Sequence, residues 1–417
     1  MKSVYKYLIL IFSVIVFSVS LSSTVFADDK SVNLTEVYKN HSGETMIVSH
    51  KGDWKNNPEN SISAIKSAVE KGADIVEIDV KMLVDGTLIL MDYDTVTTTT
   101  YGYGENTVVS EMTYNEIKEL HLLANQGGYA AEKTNETVPT VEQLFGCEFD
   151  CLYLIDASWD IRESVYNLAL RNNMVDNIIF YIDDAKYDEI EDWKSTLPVE
   201  PMIMSYFKGN VIFVATSKVK NAVEFADGIH LATKNPYGVV FGKTVQNKVV
   251  ESGIRAMAAP CIPELCGQIM QDSREWWDYL IGCGFNMIMT DNVAELHGYL
   301  ESCNDELEVL KKAEKMYITD WKLPDFKSDN FYDYKLAYIN AVSKTQELLN
   351  DESPAYSDIE EAVYELEKAH NDIMENYDEL KNGTAGMTIT PVRVMLAVLA
   401  VAAVTVAEIY IYKKKKK

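Results

Sequence analysis

Short apolar runs typical of buried strands alternate with stretches of helical apolar spacing from Met46 to about Glu301. Roughly eight strand–helix units over about 250 residues predict a (β/α)8 TIM barrel, an α/β fold with its active site at the carboxyl ends of the strands. The predicted strands are Met46–His50, Ile75–Met82, Leu88–Met91, Leu152–Ala157, Ile178–Ile182, Met202–Tyr206, Gly228–Leu231, Arg255–Ala259 and Met287–Thr290. The predicted helices are Ser61–Lys71, Tyr114–Leu123, Ile161–Arg171, Tyr187–Lys194, Lys218–Phe225 and Arg274–Ile281.

A different, acidic pattern follows the barrel region 46–301. Apolar residues recur at helical spacing over Tyr332–Leu349 and again after Ser353-Pro354, which interrupts the pattern. Residues 302–381 are therefore predicted to form a small acidic α-helical bundle, with a capping box at Ser357–Glu360. This segment resembles the short FIVAR-type helical modules of Gram-positive cell-surface proteins.

The first residues have the organisation of a secretory signal peptide, predicted over 1–27. Two lysines precede an apolar run, Leu8–Val19, and small residues end the segment at Ala27. We expect the mature chain to begin near Asp28, with 28–45 as a lead-in to the barrel. A retained membrane helix is the alternative.

The predicted C-terminal segments attach the protein to a membrane. Residues 394–412 are nineteen mostly apolar residues with one acid, Glu408, and this length spans a bilayer. The lysines at 413–417 should remain in the cytoplasm, and 382–393 forms a flexible linker. We therefore expect an exported protein of a Gram-positive bacterium, anchored in the cell membrane with the barrel extracellular and the C-terminus cytoplasmic.

The net charge of −26 excludes general attraction to nucleic acid or to an anionic surface. Setting aside the eight basic residues and one acid of the predicted signal, linker, membrane segment and tail leaves 30 basic and 63 acidic residues, so about −33. Such a body repels an anionic substrate unless a cation offsets the local field. The composition therefore favours a divalent ion at the site.

The six cysteines have no zinc-binding spacing, because the Cys-x3-Cys and Cys-x4-Cys pairs lack matching histidines. Export would permit disulfides, so Cys147 and Cys151 either pair or remain buried thiols.

The segment from His50 to Thr100 contains the candidate chemistry. His50 ends an apolar run, and Glu77 and Asp79 lie two residues apart on a predicted strand, which places both carboxylates on one face. Buried carboxylates on one face repel each other unless a cation or a proton lies between them. This arrangement indicates metal-assisted chemistry on a phosphate-like group.

This segment resembles the glycerophosphodiester phosphodiesterase family, whose barrels are of the phospholipase C-like phosphodiesterase type. Further matches are Val138-Pro139-Thr140-Val141, the strand at 153–158 and Gly284–Asp291. The resemblance implies His50 as a catalytic base, Lys51, Glu59 and Asn60 as substrate-binding residues, and Glu77, Asp79 and Asp156 as ligands of Ca²⁺ or Mg²⁺. We expect Asp291 to cap the last barrel helix.

Several positions depart from the family pattern. The second catalytic histidine is replaced by Asp92, which must be protonated to act as the general acid. Further departures remove basic or aromatic groups and are Lys51 for arginine, Tyr93 for aspartate, Thr98 for arginine, Ser158 for lysine and Ala259 for tryptophan.

The expected function is metal-assisted hydrolysis of a small or polymeric phosphodiester at the cell surface, a glycerophosphodiester or a glycerol-phosphate polymer. The alternative is a catalytically impaired barrel that acts as a surface binding module, because Asp92 replaces a histidine. A third hypothesis is altered specificity, for lysophospholipid or sphingolipid cleavage.

Overall fold

The computed structural model describes residues 33–40, 44–102, 107–183, 187–209, 211–324, 331–351 and 354–376. The predicted signal peptide, linker, membrane span and lysine tail lie outside these residues. Across the described ranges, no helix has the length and apolar character needed to cross a bilayer.

Eight parallel strands form a closed barrel, as the sequence predicts. The barrel strands follow one another in the order β1, β2, β7, β8, β9, β10, β11 and β12, and β1 pairs with both β2 and β12. The strands are β1 Met46–His50, β2 Ile75–Met82, β3 Leu88–Leu90, β4 Thr100–Tyr101, β5 His121–Leu123, β6 Lys133–Thr137, β7 Leu152–Ala157, β8 Ile178–Asp183, β9 Met202–Lys208, β10 Gly228–Ala232, β11 Arg255–Ala258 and β12 Met287–Thr290.

Helices surround the barrel and continue beyond it. They are α1 Leu34–Lys39, α2 Ile62–Glu70, α3 Tyr114–Ile117, α4 Val141–Phe145, α5 Arg162–Arg171, α6 Tyr187–Ser195, α7 Ile212–Ala222, α8 Lys243–Ser252, α9 Pro263–Cys266, α10 Arg274–Gly282, α11 Val293–Glu314, α12 Phe331–Leu349 and α13 Tyr356–Glu375. Short 3₁₀ turns lie at Val109–Glu111, Trp159–Ile161 and Val175–Asn177, and a π-helical turn lies at Lys315–Thr319.

Two apolar cores follow from the alternation of side chains along each strand. The outer core packs the strands against the helices, and the inner core fills the barrel. Six methionines belong to the inner core, where their flexible side chains fill the irregular space between strands: Met46, Met202, Met204, Met257, Met287 and Met289.

The floor of the barrel is closed by α1. Arg255, which is fully buried, donates hydrogen bonds to the carbonyls of Val37, Tyr38, Glu44 and Asn286. One guanidinium therefore satisfies four carbonyl groups from two segments and holds the N-terminal helix against the strands.

The helical module is continuous with the barrel. The predicted boundary at 301/302 lies inside α11, so the barrel and the module share that helix. Helix α13 packs on α11 and α12 and also reaches the outer core through Ile359. It begins after Ala355 rather than at a capping box, because Ser357 instead donates to Asp278 Oδ2 at 2.5 Å.

The segment between β2 and β7 differs in part from the prediction. The predicted strand at 88–91 is confirmed over Leu88–Leu90, and it pairs antiparallel to β2 outside the parallel ring. The predicted helix Tyr114–Leu123 ends at Ile117, although its capping box at Thr113 is confirmed. The rest becomes β5, because Leu122 pairs with Thr100 in a small antiparallel sheet above its own apolar cluster.

Candidate active site

Functional side chains end the inward-facing rows of neighbouring strands. In β1 and β7, inner-core residues alternate up the strand until His50 and Asp156 occupy the inward position at the carboxyl end. In β2, Ile75 is followed on the same face by Glu77 and Asp79. The two-residue repeat of a strand therefore brings each of these groups to one rim of the barrel.

The strand register places these residues side by side. His50 is the cross-strand partner of Glu77, and Asp79 is the cross-strand partner of Asp156. The three acids Glu77, Asp79 and Asp156 each offer a carboxylate oxygen, and these oxygens lie within 4.8 Å of one another. The sequence prediction that these acids converge is confirmed; their role as metal ligands stays a prediction.

The negative charges of this carboxylate cluster repel one another. Burial raises the pKa of Glu77 well above its usual value, and the charges of Asp79 and Asp156 raise it further. Asp156 is open to solvent at the rim but has protein on its other sides, and this partial loss of hydration, with the charge of Asp79, raises its pKa to about 6. A divalent cation would relieve this repulsion, since hard cations prefer oxygen ligands.

A loop after β1 is shaped to hold the cluster. Lys51 and Gly52 both adopt a left-handed backbone conformation, and a Cβ at Gly52 would lie 2.7 Å from the backbone of Ala64. This turn aims the backbone N–H of Lys51 at Glu77 Oε2, at 3.1 Å. Asn60 also has a positive φ, which asparagine tolerates better than most residues.

Asn60 and Glu59 have different contacts in the site. The side chain of Asn60 donates to Asp79 Oδ2 at 2.7 Å and accepts from the Asp79 backbone N–H at 3.1 Å. Glu59 is almost fully buried, and neither of its carboxylate oxygens has a hydrogen-bond partner within the described part of the chain. Burial raises the pKa of Glu59 to about 7. Asn60 therefore orients a candidate ligand, while Glu59 has unused acceptors beside it.

Lys51 lies among three carboxylates. Its Nζ is 2.5 Å from Asp92, 3.6 Å from Asp79 and 3.7 Å from Glu59. Burial by itself would lower the pKa of Lys51, but the charges of Asp79, Glu59 and Asp92 together raise it above its usual value. The ammonium group therefore stays charged, and it donates a hydrogen bond to Asp92.

His50 is oriented by Asp291. Its Nδ1 lies 2.9 Å from Asp291 Oδ1, which also accepts a hydrogen bond from Trp54 Nε1 at 2.8 Å. Asp272 anchors this carboxylate by accepting from the Asp291 backbone N–H at 2.7 Å. The expectation that Asp291 caps the last barrel helix is wrong, because Asn292 is the N-cap of α11.

Comparisons with known proteins agree with this geometry. Residues 50–221 match the Glycerophosphoryl diester phosphodiesterase family. The barrel is a member of the glycerophosphoryl diester phosphodiesterase family. The chain is 39% identical over 114 residues to a glycerophosphodiester phosphodiesterase of Caldanaerobacter subterraneus, covering 27% of this chain and 44% of the relative. It is 33% identical over 120 residues to glycerophosphodiester phosphodiesterase 1 of Bos taurus, covering 28% and 34%.

A crystal structure supports the fold of this phosphodiesterase-family barrel. The glycerophosphoryl diester phosphodiesterase of Parabacteroides distasonis superposes with a TM-score of 0.53 at 19% identity, covering 64% of this chain and 90% of that one. At this identity the likeness establishes the TIM-like barrel alone. The chain spans less than half the length of the two curated relatives described above.

The far side of the phosphodiesterase-family barrel rim is aromatic. Tyr181, Tyr206 and His230 lie on the adjacent strands β8, β9 and β10, with the two tyrosine rings 5.4–5.8 Å from the imidazole. Tyr181 Oη is 2.6 Å from His230 Nδ1. Burial lowers the pKa of His230 to about 3, so this imidazole is neutral near pH 7. The rim therefore has one acidic side and one uncharged aromatic side.

Sequence reasoning missed two neighbours of the catalytic candidate His50, Trp54 and Cys261, and it assigned a third, Asp291, to a helix cap. Trp54 and Asp291 contact the site directly, and Cys261 Sγ lies with His50 and Asp291 in a second group whose ligand atoms are within 4.8 Å of one another. Cys261 and Asp291 each follow the last inward residue of a barrel strand, which is the signal that would have identified them. Among the described residues no two cysteines form a disulfide, so Cys147 and Cys151 remain thiols.

Proposed function

We propose that the barrel hydrolyses a glycerophosphodiester with the help of a divalent cation. The observation that carries this proposal is the convergence of Glu77, Asp79 and Asp156 beside His50 at the carboxyl rim. Membership of the phosphodiesterase family supports the same reaction class.

The residues present fit a hard divalent cation. Three carboxylates within 4.8 Å supply the oxygen donors that Ca²⁺ and Mg²⁺ prefer, and the unused oxygens of Glu59 lie close by. When bound, the cation would polarise the phosphoryl oxygens and offset the negative field of the acidic chain. Asn60 would hold Asp79 in the orientation needed for ligation.

His50 is proposed to accept the proton of the substrate hydroxyl that attacks phosphorus as the bond from phosphorus to the leaving oxygen breaks. Water then opens the cyclic phosphodiester that forms, which gives glycerol 3-phosphate. A neutral imidazole has one N–H and one acceptor nitrogen. Because Nδ1 faces the Asp291 carboxylate at 2.9 Å, the N–H is placed there and Nε2 remains as the acceptor. Asp291 would also stabilise the imidazolium that forms, as a carboxylate does in hydrolase triads.

Lys51 is proposed to face the phosphate of the substrate. It supplies a positive charge near the carboxylates, at a position where the family pattern has an arginine. Unlike a guanidinium, an ammonium cannot make a planar bidentate contact with the phosphate. Asp92 is proposed to hold Lys51 in place through the 2.5 Å contact. We therefore assign Asp92 a positioning role in place of the general-acid role, and the leaving oxygen takes its proton from water.

The test is release of glycerol 3-phosphate from glycerophosphocholine by the purified protein, with Ca²⁺, with Mg²⁺ and with chelator. His50→Ala should lower turnover by about 10²- to 10⁴-fold, the usual contribution of a general base. His297→Ala is the matched control, since His297 lies on the exposed face of α11 with Glu301 as its partner. Turnover that survives His50→Ala, or that is insensitive to chelator, would contradict the proposal.

Two further substrates and a binding measurement distinguish this proposal from the two alternative functions, altered specificity and a binding module. Lysophosphatidylcholine and sphingomyelin test altered specificity in the same assay. Binding of glycerophosphocholine by calorimetry without turnover of any of these substrates would favour the binding module over the hydrolase.

We also propose that the barrel works outside the cell, attached by residues 394–412. The support is the apolar segment followed by five lysines, together with the signal-like start of the chain. Labelling of intact cells with a membrane-impermeant amine reagent should modify lysines of the barrel. Labelling that requires cell lysis would count against this location.

A further inference from the structure

A second group of metal-binding side chains lies beside the carboxylate cluster. Cys261, Asp291 and His50 follow or end β11, β12 and β1, which are consecutive around the barrel. One ligand atom from each lies within 4.8 Å of the other two. Each residue follows an inward row of inner-core residues, so the three groups converge for the same geometric reason as the acids.

We propose that Cys261, His50 and Asp291 form a zinc site that switches the barrel off by taking the imidazole of His50. One thiolate, one imidazole and one carboxylate are a donor set typical of Zn²⁺, whereas Ca²⁺ and Mg²⁺ avoid sulfur and prefer oxygen. Three protein ligands leave a fourth position for water. The carboxylate cluster and the thiol group would therefore select different metals at neighbouring places on one rim.

The distances suit a small ion. Zinc–ligand bonds of about 2.0–2.3 Å in a tetrahedron place the ligand atoms about 3.3–3.7 Å apart. His50 Nδ1 and Asp291 Oδ1 are now 2.9 Å apart across a hydrogen bond, so the ion would take the place of the shared proton and widen this gap by about 0.5 Å. Trp54 would continue to hold Asp291 through its indole N–H.

Binding changes protonation but involves no redox step. Zn²⁺ forms bonds to Sγ, Nδ1 and a carboxylate oxygen. It displaces the thiol proton of Cys261 to solvent, while the one N–H proton of the neutral His50 imidazole moves from Nδ1 to Nε2 by exchange with water. The thiolate and the carboxylate then balance the charge of the ion. With the metal on Nδ1, the neutral imidazole has its N–H on Nε2, which can no longer accept a proton from a substrate hydroxyl.

Zinc binding itself is independent of the proposed hydrolysis, and only its inhibitory effect rests on that function. Binding is measured with Co²⁺ as the spectroscopic probe, in excess Mg²⁺ to fill the carboxylate cluster. Wild-type protein should show a thiolate-to-cobalt charge-transfer band that Zn²⁺ abolishes. Cys261→Ser should lose the band and weaken zinc affinity at least about tenfold, the lower end of the loss seen even for outer partners of metal ligands.

Cys147→Ser is the matched control, because Cys147 and Cys261 are both partly buried and each donates its thiol to a backbone carbonyl at 3.3 Å. This variant should keep the cobalt band. A band that is absent from the wild type, or that persists in Cys261→Ser, would overturn the proposed site.

The inhibition is measured as turnover of glycerophosphocholine in Mg²⁺ with increasing Zn²⁺. Zinc should inhibit the wild type and Cys147→Ser, while Cys261→Ser should need at least about tenfold more zinc. Equal inhibition of all three would refute the switch. If no variant turns over substrate, the proposed hydrolysis fails, and the cobalt band still decides whether the zinc site exists.

Discussion

The buried imidazole of His230 should make the stability of this protein fall steeply in mild acid. His230 is 1% exposed inside the barrel, with one ring nitrogen beside Tyr181 and the other, Nε2, without a partner in the described residues. Burial lowers its pKa to about 3, against an ordinary value of about 6.5.

The sign of this change in stability with pH depends on whether the folded or the unfolded state binds the proton more tightly. The unfolded chain takes up a proton on this imidazole near pH 6.5, whereas the folded chain does not until about pH 3. Protons therefore favour unfolding, and the stability contribution is fully present above pH 6.5 and is lost as the pH falls. Between pH 7 and pH 5 this loss is about 2 kcal/mol, at 1.36 kcal/mol for each unit separating the pH from the unfolded pKa.

The measurement must separate His230 from the acids at the rim. Partial loss of hydration raises the pKa of Asp156 to about 6, and burial raises that of Glu59 to about 7. Both acids therefore increase the free energy of unfolding as the pH falls, which is opposite in sign to the effect of His230. His230→Phe removes only the imidazole titration, and the lost hydrogen bond to Tyr181 shifts stability equally at both pH values. Urea unfolding of both proteins at pH 7 and pH 5, followed by tryptophan fluorescence, gives four free energies.

Wild type should lose about 2 kcal/mol more than His230→Phe between the two pH values. The acids cancel in this comparison because both proteins contain them. Equal losses would mean that the imidazole is hydrated in the folded protein, and the reasoning from burial would then be refuted.

Three other outcomes are expected. Ca²⁺ or Mg²⁺ at about 100 times its dissociation constant should stabilise the wild type by about 2.7 kcal/mol in thermal unfolding, and Asp156→Asn should largely remove this shift; an unchanged shift would place the ion elsewhere. Asp291→Asn should lower kcat by about 10²-fold or more with little change in KM, because His50 loses its orienting partner; an unaltered pH–rate profile and kcat would argue against that role. Arg255→Met should cost about 3 kcal/mol or more in urea unfolding, since four buried carbonyls lose their donor; a loss below 1 kcal/mol would show that water replaces the guanidinium.

Local pattern was sufficient for most of the barrel. The run Ile75–Met82 is predicted with the bounds that the structure has, because apolar residues alternate along it with Glu77, Asp79 and Lys81, which is the period of a strand. The segment Leu120–Leu123 was mistaken for helix, because a short apolar run has no periodicity of its own and pairing with Thr100 decided its conformation.

The candidate site likewise contains residues that the sequence identified and residues that only the structure brought together. Glu77 and Asp79 were identified from their spacing on one strand. The zinc spacing rule excluded the cysteines, yet Cys261 lies beside His50 because β11, β12 and β1 are adjacent after the barrel closes. The contact between Lys51 and Asp92 likewise depends on a left-handed turn that brings the loop after β1 over the rim.

The sequence by itself determined which residues lie on the inward face of each strand and reach its carboxyl end, because that alternation is a local property with a period of two. Only the tertiary structure decided which of those ends are neighbours, since adjacency depends on the order and register in which eight strands close. The carboxylate cluster was visible in the sequence because two of its members share a strand. The group of Cys261, Asp291 and His50 was not visible. His50 lies more than 200 residues before the other two in the sequence, and the three residues meet only because their strands are adjacent in the closed barrel.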